Sequence, residues 1–185
     1  MRLENLLEKR KTTIIKKWFN EVLLTYPADT AGFLKNQKNP FANPVGRKIF
    51  RGLDALFDTL LREFNANAVE SFLDPIIRIR AVQNFSPSQA TAFIFSLKNI
   101  IREDVHSEIK DREDMKTLLE FESKIDRLGL IAFDIYMKCR EKIYQIKSTE
   151  EKNRTFSAFR RAGLICEITD DESDTQESNL NNEVI

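Results

Sequence analysis

Residues 111–163 read DREDMKTLLEFESKIDRLGLIAFDIYMKCREKIYQIKSTEEKNRTFSAFRRAG. The acids at the start, Asp111 to Asp114, suit the positive end of a helix dipole. Gly163 supplies a stop at the other end. The stretch therefore predicts one helix from about Asp111 to Ala162, roughly 75 Å long at 1.5 Å per residue. A domain of this size cannot cover such a helix, so part of it must project or pair with another chain. Leu118, Phe121, Ile125, Leu128, Ala132, Ile135, Cys139, Lys142 and Ile146 alternate by three and four without a slip. That is heptad-type spacing over about four heptads. Leu128 to Met137 is apolar on other faces as well, so this part must be buried on more than one side. The simplest arrangement packs one side on its own domain and the other on a second copy. The expectation is a homodimer, with Leu128, Ile135 and Cys139 at the interface.

Upstream, the same periodicity predicts a helix from Leu3 to about Thr25, ended by Pro27 because proline disfavours helix in the residue before it. Ala28 to Pro44 reads as a loop with at most one helical turn around Thr30 to Leu34. Asn43-Pro44 opens the next helix, Asn as cap and Pro as its first residue. A third helix is expected from about Ala68 to Asn84, with a kink or restart at Pro75. Ser86-Pro87-Ser88-Gln89 is a capping box that starts a fourth, running to about Ile109. The expected architecture is an all-α bundle of about five helices with a long C-terminal helix.

Composition supports this and narrows the function. The chain has 185 residues, 42% of them hydrophobic, enough for the core of one domain. Five Gly and five Pro are too few for a β-sandwich or a Gly-rich phosphate-binding fold. No apolar run approaches the roughly 18–20 residues needed to span a bilayer, which excludes membrane insertion. Met1 to Lys11 is charged and shows no secretory signal. With Cys139 and Cys166 as the two cysteines, a reducing cytoplasm is the expected location. The 29 basic and 29 acidic residues cancel, but Glu167 to Ile185 holds seven acids and no Lys or Arg. The expected organisation is a helical domain over 1–166 and an acidic disordered tail over 167–185. The basic residues are spread along helices among acids, which points away from nucleic acid as a partner.

The search for chemistry returns little. His106, the one histidine, falls on the polar line of Asn99, Arg102, Glu103 and Lys110. Histidine-ligated haem, zinc and a histidine-based triad are therefore disfavoured. No phosphate loop, dinucleotide fingerprint or calcium loop is present. The expectation is a non-enzyme without metal or cofactor. Cys139 on the seam reads as a small buried side chain rather than a redox crosslink. Arg78 and Arg80 stand out within Ile76-Ile77-Arg78-Ile79-Arg80-Ala81-Val82. Residues two apart cannot share one solvent face of a helix, so at least one is expected to be partly buried. There it needs a carboxylate, a carbonyl or an anionic ligand. Arg78 and Arg80 are the candidates for contact with an anion or a partner.

The stretch from Phe72 to Ala90, FLDPIIRIRAVQNFSPSQA, resembles the RsbRD N-terminal domain family. Lys9 to Phe19, Tyr26-Pro27 and Phe133 to Glu141 fit the same resemblance, which covers about residues 3 to 164. The resemblance implies a non-haem, globin-like fold that dimerises through the long helix. It implies a sensing role in signal transduction, as in stressosome co-antagonists, with a regulatory protein partner and a small ligand as signal. It also implies an accessory link to sulfite reduction in sulfur respiration. The chain differs from stressosome proteins in carrying the acidic segment where they carry a STAS domain, so their phosphorylation-dependent output does not transfer. The rival expectation is an interaction adaptor without a ligand, whose acidic tail docks on a basic partner.

Overall fold

The computed structural model describes residues 3–35 and 43–164. The acidic segment Glu167–Ile185 and Cys166 lie outside the described residues. Among the described residues there are six helices and no strand: α1 Leu3–Leu24, α2 Ala28–Lys35, α3 Pro44–Leu61, α4 Ala66–Val82, α5 Pro87–Val105 and α6 Arg112–Arg161. The fold is all-α.

The first helix is the hub. Its buried stripe, Leu7, Ile14, Ile15, Trp18, Phe19 and Val22, packs against α3 and α5. Trp18 is fully buried, and its indole N–H donates to the Phe93 carbonyl at 2.7 Å. That bond spares the buried indole N–H a desolvation penalty. Two neighbouring cations then tie α1 to both sides. Arg10 donates to the Asp104 carbonyl and pairs with Glu108 at 3.1 Å, at the end of α5. Lys11 bridges Asp54 at 2.9 Å and Asp58 at 2.7 Å on α3. Burial pulls the Lys11 ammonium down, but bonds to the two carboxylates outweigh it and leave its pKa raised.

The second helix corrects the loop expectation. Pro27 accepts from Ala31 N–H at 2.8 Å and Asp29 sits in the first turn, so helix continues for eight residues. Only Leu34 on it is buried, too short an apolar pattern for periodicity to reveal. Asn43 joins the end of α2 to the start of α3. Its Nδ2 donates to the Phe33 and Leu34 carbonyls at 2.9 and 2.8 Å, and its Oδ1 accepts from Gly46 N–H at 2.8 Å. This one buried amide thus caps α3 and satisfies the last carbonyls of α2.

In α4 the expected break at Pro75 is absent: the helix runs through it from Ala66. The carbonyl left without its partner belongs to Ser71, an exposed residue that water can reach. The capping box at Ser86 is present as read, with both of its bonds. The fifth helix stops at Val105 rather than Ile109, and His106 at its end is exposed. Asp111 then accepts from Asp114 N–H at 2.8 Å while Asp114 accepts from Lys110 N–H at 3.1 Å, which starts α6.

The chain divides into two units, one up to Ile143 and one from Tyr144. In the first unit α6 is bound to its neighbours by Phe57 against Phe121 and by Arg102 on Glu122 through two 2.6 Å bonds. Lys124 adds a 3.0 Å bond to the Leu60 carbonyl. In the second unit every described residue is exposed. Its helix ends as read, at Gly163 with φ 69°, where Leu164 N–H bonds the Phe159 carbonyl at 3.0 Å. No helix among the described residues is long and apolar enough to cross a membrane.

Asn43→Ala removes a cap and two carbonyl partners at a fully buried position. It is expected to cost about 2–3 kcal/mol, lowering the midpoint of thermal unfolding by roughly 4–10 °C. Circular dichroism checks this.

Candidate functional site

Leu73, Ile76, Ile77, Arg80 and Ala81 form the buried face of α4, at the three- and four-residue spacing of one helix side. Helix geometry therefore carries Arg80 inward and turns Arg78, two residues earlier, outward. Arg78 is exposed and binds Asp74 one turn back through bonds of 2.7 and 3.2 Å. Arg80 is 0% exposed.

The surroundings of Arg80 are aromatic and poor in charge. Its guanidinium carbon lies 4.4 Å from the Phe85 ring centre, 5.3 Å from Phe93 and 5.4 Å from Tyr26. Nη2 donates to the Thr25 hydroxyl and to the Gln89 carbonyl, both at 2.8 Å. Thr25 in turn donates to the Val22 carbonyl at 2.6 Å, so its hydroxyl is oriented to accept from Arg80. Nε and Nη1 have no hydrogen-bond partner, and neither does the buried Tyr26 hydroxyl beside them. No carboxylate among the described residues pairs with Arg80. Burial pulls its pKa down, countered by the adjacent Tyr26. Burial likewise pushes the Tyr26 phenol up, against the pull of the Arg80 charge. The phenol is thus held neutral, able both to donate and to accept.

The corner between α4 and α5 forms the roof of this cluster. Asn84 adopts φ 61°, which lets Phe85 N–H reach back to the Arg80 carbonyl at 3.3 Å. Phe85 stacks edge-on against Tyr26 with ring centres 5.2 Å apart. The last helix grips this corner: the Tyr136 hydroxyl donates to the Phe85 carbonyl, and Arg140 donates to the Ala81 carbonyl at 3.2 Å. Four helices therefore meet around Arg80 and Phe85.

Leu128, Ile135 and Cys139 are 0%, 2% and 7% exposed. The seam expected to face a second copy is filled by the chain's own helices, because α6 needs that side to close the core. The large apolar residues that α6 leaves open in this unit are Met115, Leu119, Leu130, Phe133 and Met137. At about 100° per residue they lie on the side of α6 opposite the buried seam. Their spacing is also three and four once Ser123 and Asp126 are counted, and Asp126 is neutralised by Lys98 at 2.6 Å. Both stripes stand in the sequence. Periodicity finds stripes but does not say which one the domain covers. Tyr26, Thr25, Phe85 and Phe93 carry no sequence signal of their own as companions of Arg80. Among the described residues no group of His, Cys, Asp and Glu could hold a metal ion.

A family model for the RsbT co-antagonist protein rsbRD N-terminal domain matches residues 12–150. The chain belongs to that family. The matched span holds the Arg80 cluster, the α4–α5 corner and the first unit's share of α6. An uncharacterized protein of Archaeoglobus fulgidus is similar at 23% identity over 146 residues, covering 75% of this chain and 83% of the relative. No solved structure matches the chain.

Burial pushes the Cys139 thiol up from its ordinary value, with a smaller opposing pull from Arg78. In a Cys166→Ser background, Cys139 is expected to alkylate at least about tenfold more slowly in the folded protein than in denaturant at the same pH. Mass spectrometry of the iodoacetamide reaction gives the rates.

Proposed function

We propose that the chain is a non-catalytic, cytoplasmic regulatory domain with a globin-like helical body. It works as a homodimer that senses a signal and passes it to a protein partner through α6. Membership of the rsbRD N-terminal family supports the regulatory role, since the matched model describes part of a co-antagonist protein.

The observation that carries the dimer is the open stripe on α6. Leu130 is 66% exposed, Phe133 45% and Met137 38%. A helix with apolar residues on two opposite sides is half covered by its own domain. Burying each such side chain fully is worth about 1.5–3 kcal/mol, and a two-fold contact counts every residue twice. A second copy of the same helix, presenting the same spacing, fits this stripe knob against hole.

The route from body to seam is short. Tyr136 and Arg140 hold the α4–α5 corner, while Phe133 and Met137 stand within one turn of Tyr136 on the open side. A change in the corner that shifts these two anchors rotates or slides the seam. Packed helices have discrete arrangements, so such a shift becomes a switch between two packings of the dimer.

The purified chain is expected to show a solution mass of twice 21.6 kDa by light scattering. Leu130→Glu combined with Met137→Glu should return it to 21.6 kDa with an unchanged helical spectrum, because both positions are open in the single chain. A wild-type mass of 21.6 kDa at about 50 µM, where an obligate dimer would persist, would sink the dimer.

A further inference from the structure

We propose that the buried Arg80 guanidinium and the Tyr26 hydroxyl form a receptor for one small, weakly hydrated monoanion, of the class of nitrate or formate. The inference is independent of the dimer seam, since every group in it comes from one chain.

The chemistry of the free atoms selects the occupant. Arg80 Nε and Nη1 and the Tyr26 hydroxyl are buried and have no hydrogen-bond partner of good geometry, the two side chains having only a loose polar contact with each other. All of them offer protons: one on Nε, two on Nη1 and one on the phenol. The nearby carbonyl and hydroxyl acceptors each already take a proton, and donors outnumber them. The Gln89 carbonyl and Thr25 hydroxyl take the two protons of Nη2, and the Phe85 carbonyl takes that of Tyr136. A water molecule would bring two more protons to a place short of acceptors. An anion brings acceptors only.

Charge sets the valence. Arg80 is buried with no carboxylate among the described residues, and three aromatic rings compensate it only partly. One negative charge neutralises the site. A dianion such as sulfate would leave an unpaired negative charge among Phe85, Phe93 and Tyr26, and would also lose far more hydration on entry. The walls therefore favour a monoanion that sheds water easily. Because the site is closed to solvent, entry requires a transient opening of the corner around Asn84 and Phe85.

The test uses the full chain in sodium nitrate or sodium formate titrations, with ionic strength held constant by sulfate. Thermal unfolding is one readout. The other is emission from Trp18, the one tryptophan, whose ring centre lies 6.3 Å from that of Phe93. Expected is a saturable rise in the unfolding midpoint, roughly 5 °C at a hundredfold excess over the dissociation constant, with a parallel change in emission. Arg80→Met keeps the stem but removes the charge, and should abolish both responses. Tyr26→Phe deletes only an unpartnered hydroxyl, and should weaken the affinity at least about threefold. If Arg80→Met does not fold, Tyr26→Phe and the ¹⁵N chemical shift of the Arg80 side chain carry the test. The idea is overturned by the absence of a saturable response, which would leave water alone in the site. An unchanged response in Arg80→Met, or an equal response to sulfate against a chloride background, overturns it as well. Leu130→Glu with Met137→Glu should leave the anion response intact, so failure here and failure of the dimer are told apart.

Discussion

A guanidinium buried without a carboxylate among the described residues is the constraint around which this fold is arranged. Arg80 reaches α1 through Thr25, the first turn of α5 through the Gln89 carbonyl, and the corner between α4 and α5 through the face of Phe85. Tyr136 and Arg140 of α6 fasten the same corner from the other side. An apolar residue at position 80 could fill the volume, and burying it would carry no charge penalty. The cation brings directional contacts instead. It can bond only where Thr25 and Gln89 stand, so it fixes how α1, α4 and α5 approach one another. It also leaves Nε and Nη1 without an acceptor of good geometry, the surplus on which the proposed anion site rests.

The second organising fact is that α6 is apolar on two opposite sides. One side, Leu118 to Cys139 on the buried seam, completes the core. The other, with Leu130, Phe133 and Met137, is open. Polar groups hold the helix to its neighbours: Glu122 to Arg102 and Lys124 to the Leu60 carbonyl between the two sides, and Asp126 to Lys98 from the open stripe itself. Gly129 shows how close that attachment is. A Cβ there would lie 2.4 Å from the Phe95 ring, so α5 and α6 approach across a bare backbone. The open stripe therefore belongs to a helix firmly held on its other side.

Much of this architecture is legible in the residues. Proline and glycine mark the ends of α1 and α6, and Ser86 to Gln89 announces α5, because capping chemistry is local and its bonds form within four residues. The short α2 is not legible, since one buried leucine in eight residues gives no periodicity and its stability comes from Asn43, nine residues past Leu34. The choice between two apolar stripes on α6 is also hidden, because it depends on which side meets α3 and α5. Arg80 lies between these cases. The run Leu73, Ile76, Ile77, Ala81 marks its face as buried, and Asp74 four residues before Arg78 marks the other arginine as surface-paired. What the run cannot reveal is that no carboxylate among the described residues comes to meet Arg80, for its neighbours arrive from the end of α1 and from α5.

On the reading proposed above, stability and sensing are linked at this site by a simple balance. A buried cation with idle donors lowers the stability of the closed corner, and an occupant that neutralises it restores that stability only while the corner is closed. On that reading the corner exists as closed and loosened populations whose ratio follows the anion. Tyr136 donates to the carbonyl of Phe85, the residue whose ring covers Arg80, so loosening the corner also frees an anchor of α6. Phe133 and Met137 sit within a turn of that anchor on the open stripe. An event at a solvent-free cation thus reaches the surface through one hydrogen bond and one helical turn. If the domain works as proposed, transmission needs no more chemistry than this: a penalty that a small ion lifts, and a rigid helix that registers whether it has been lifted.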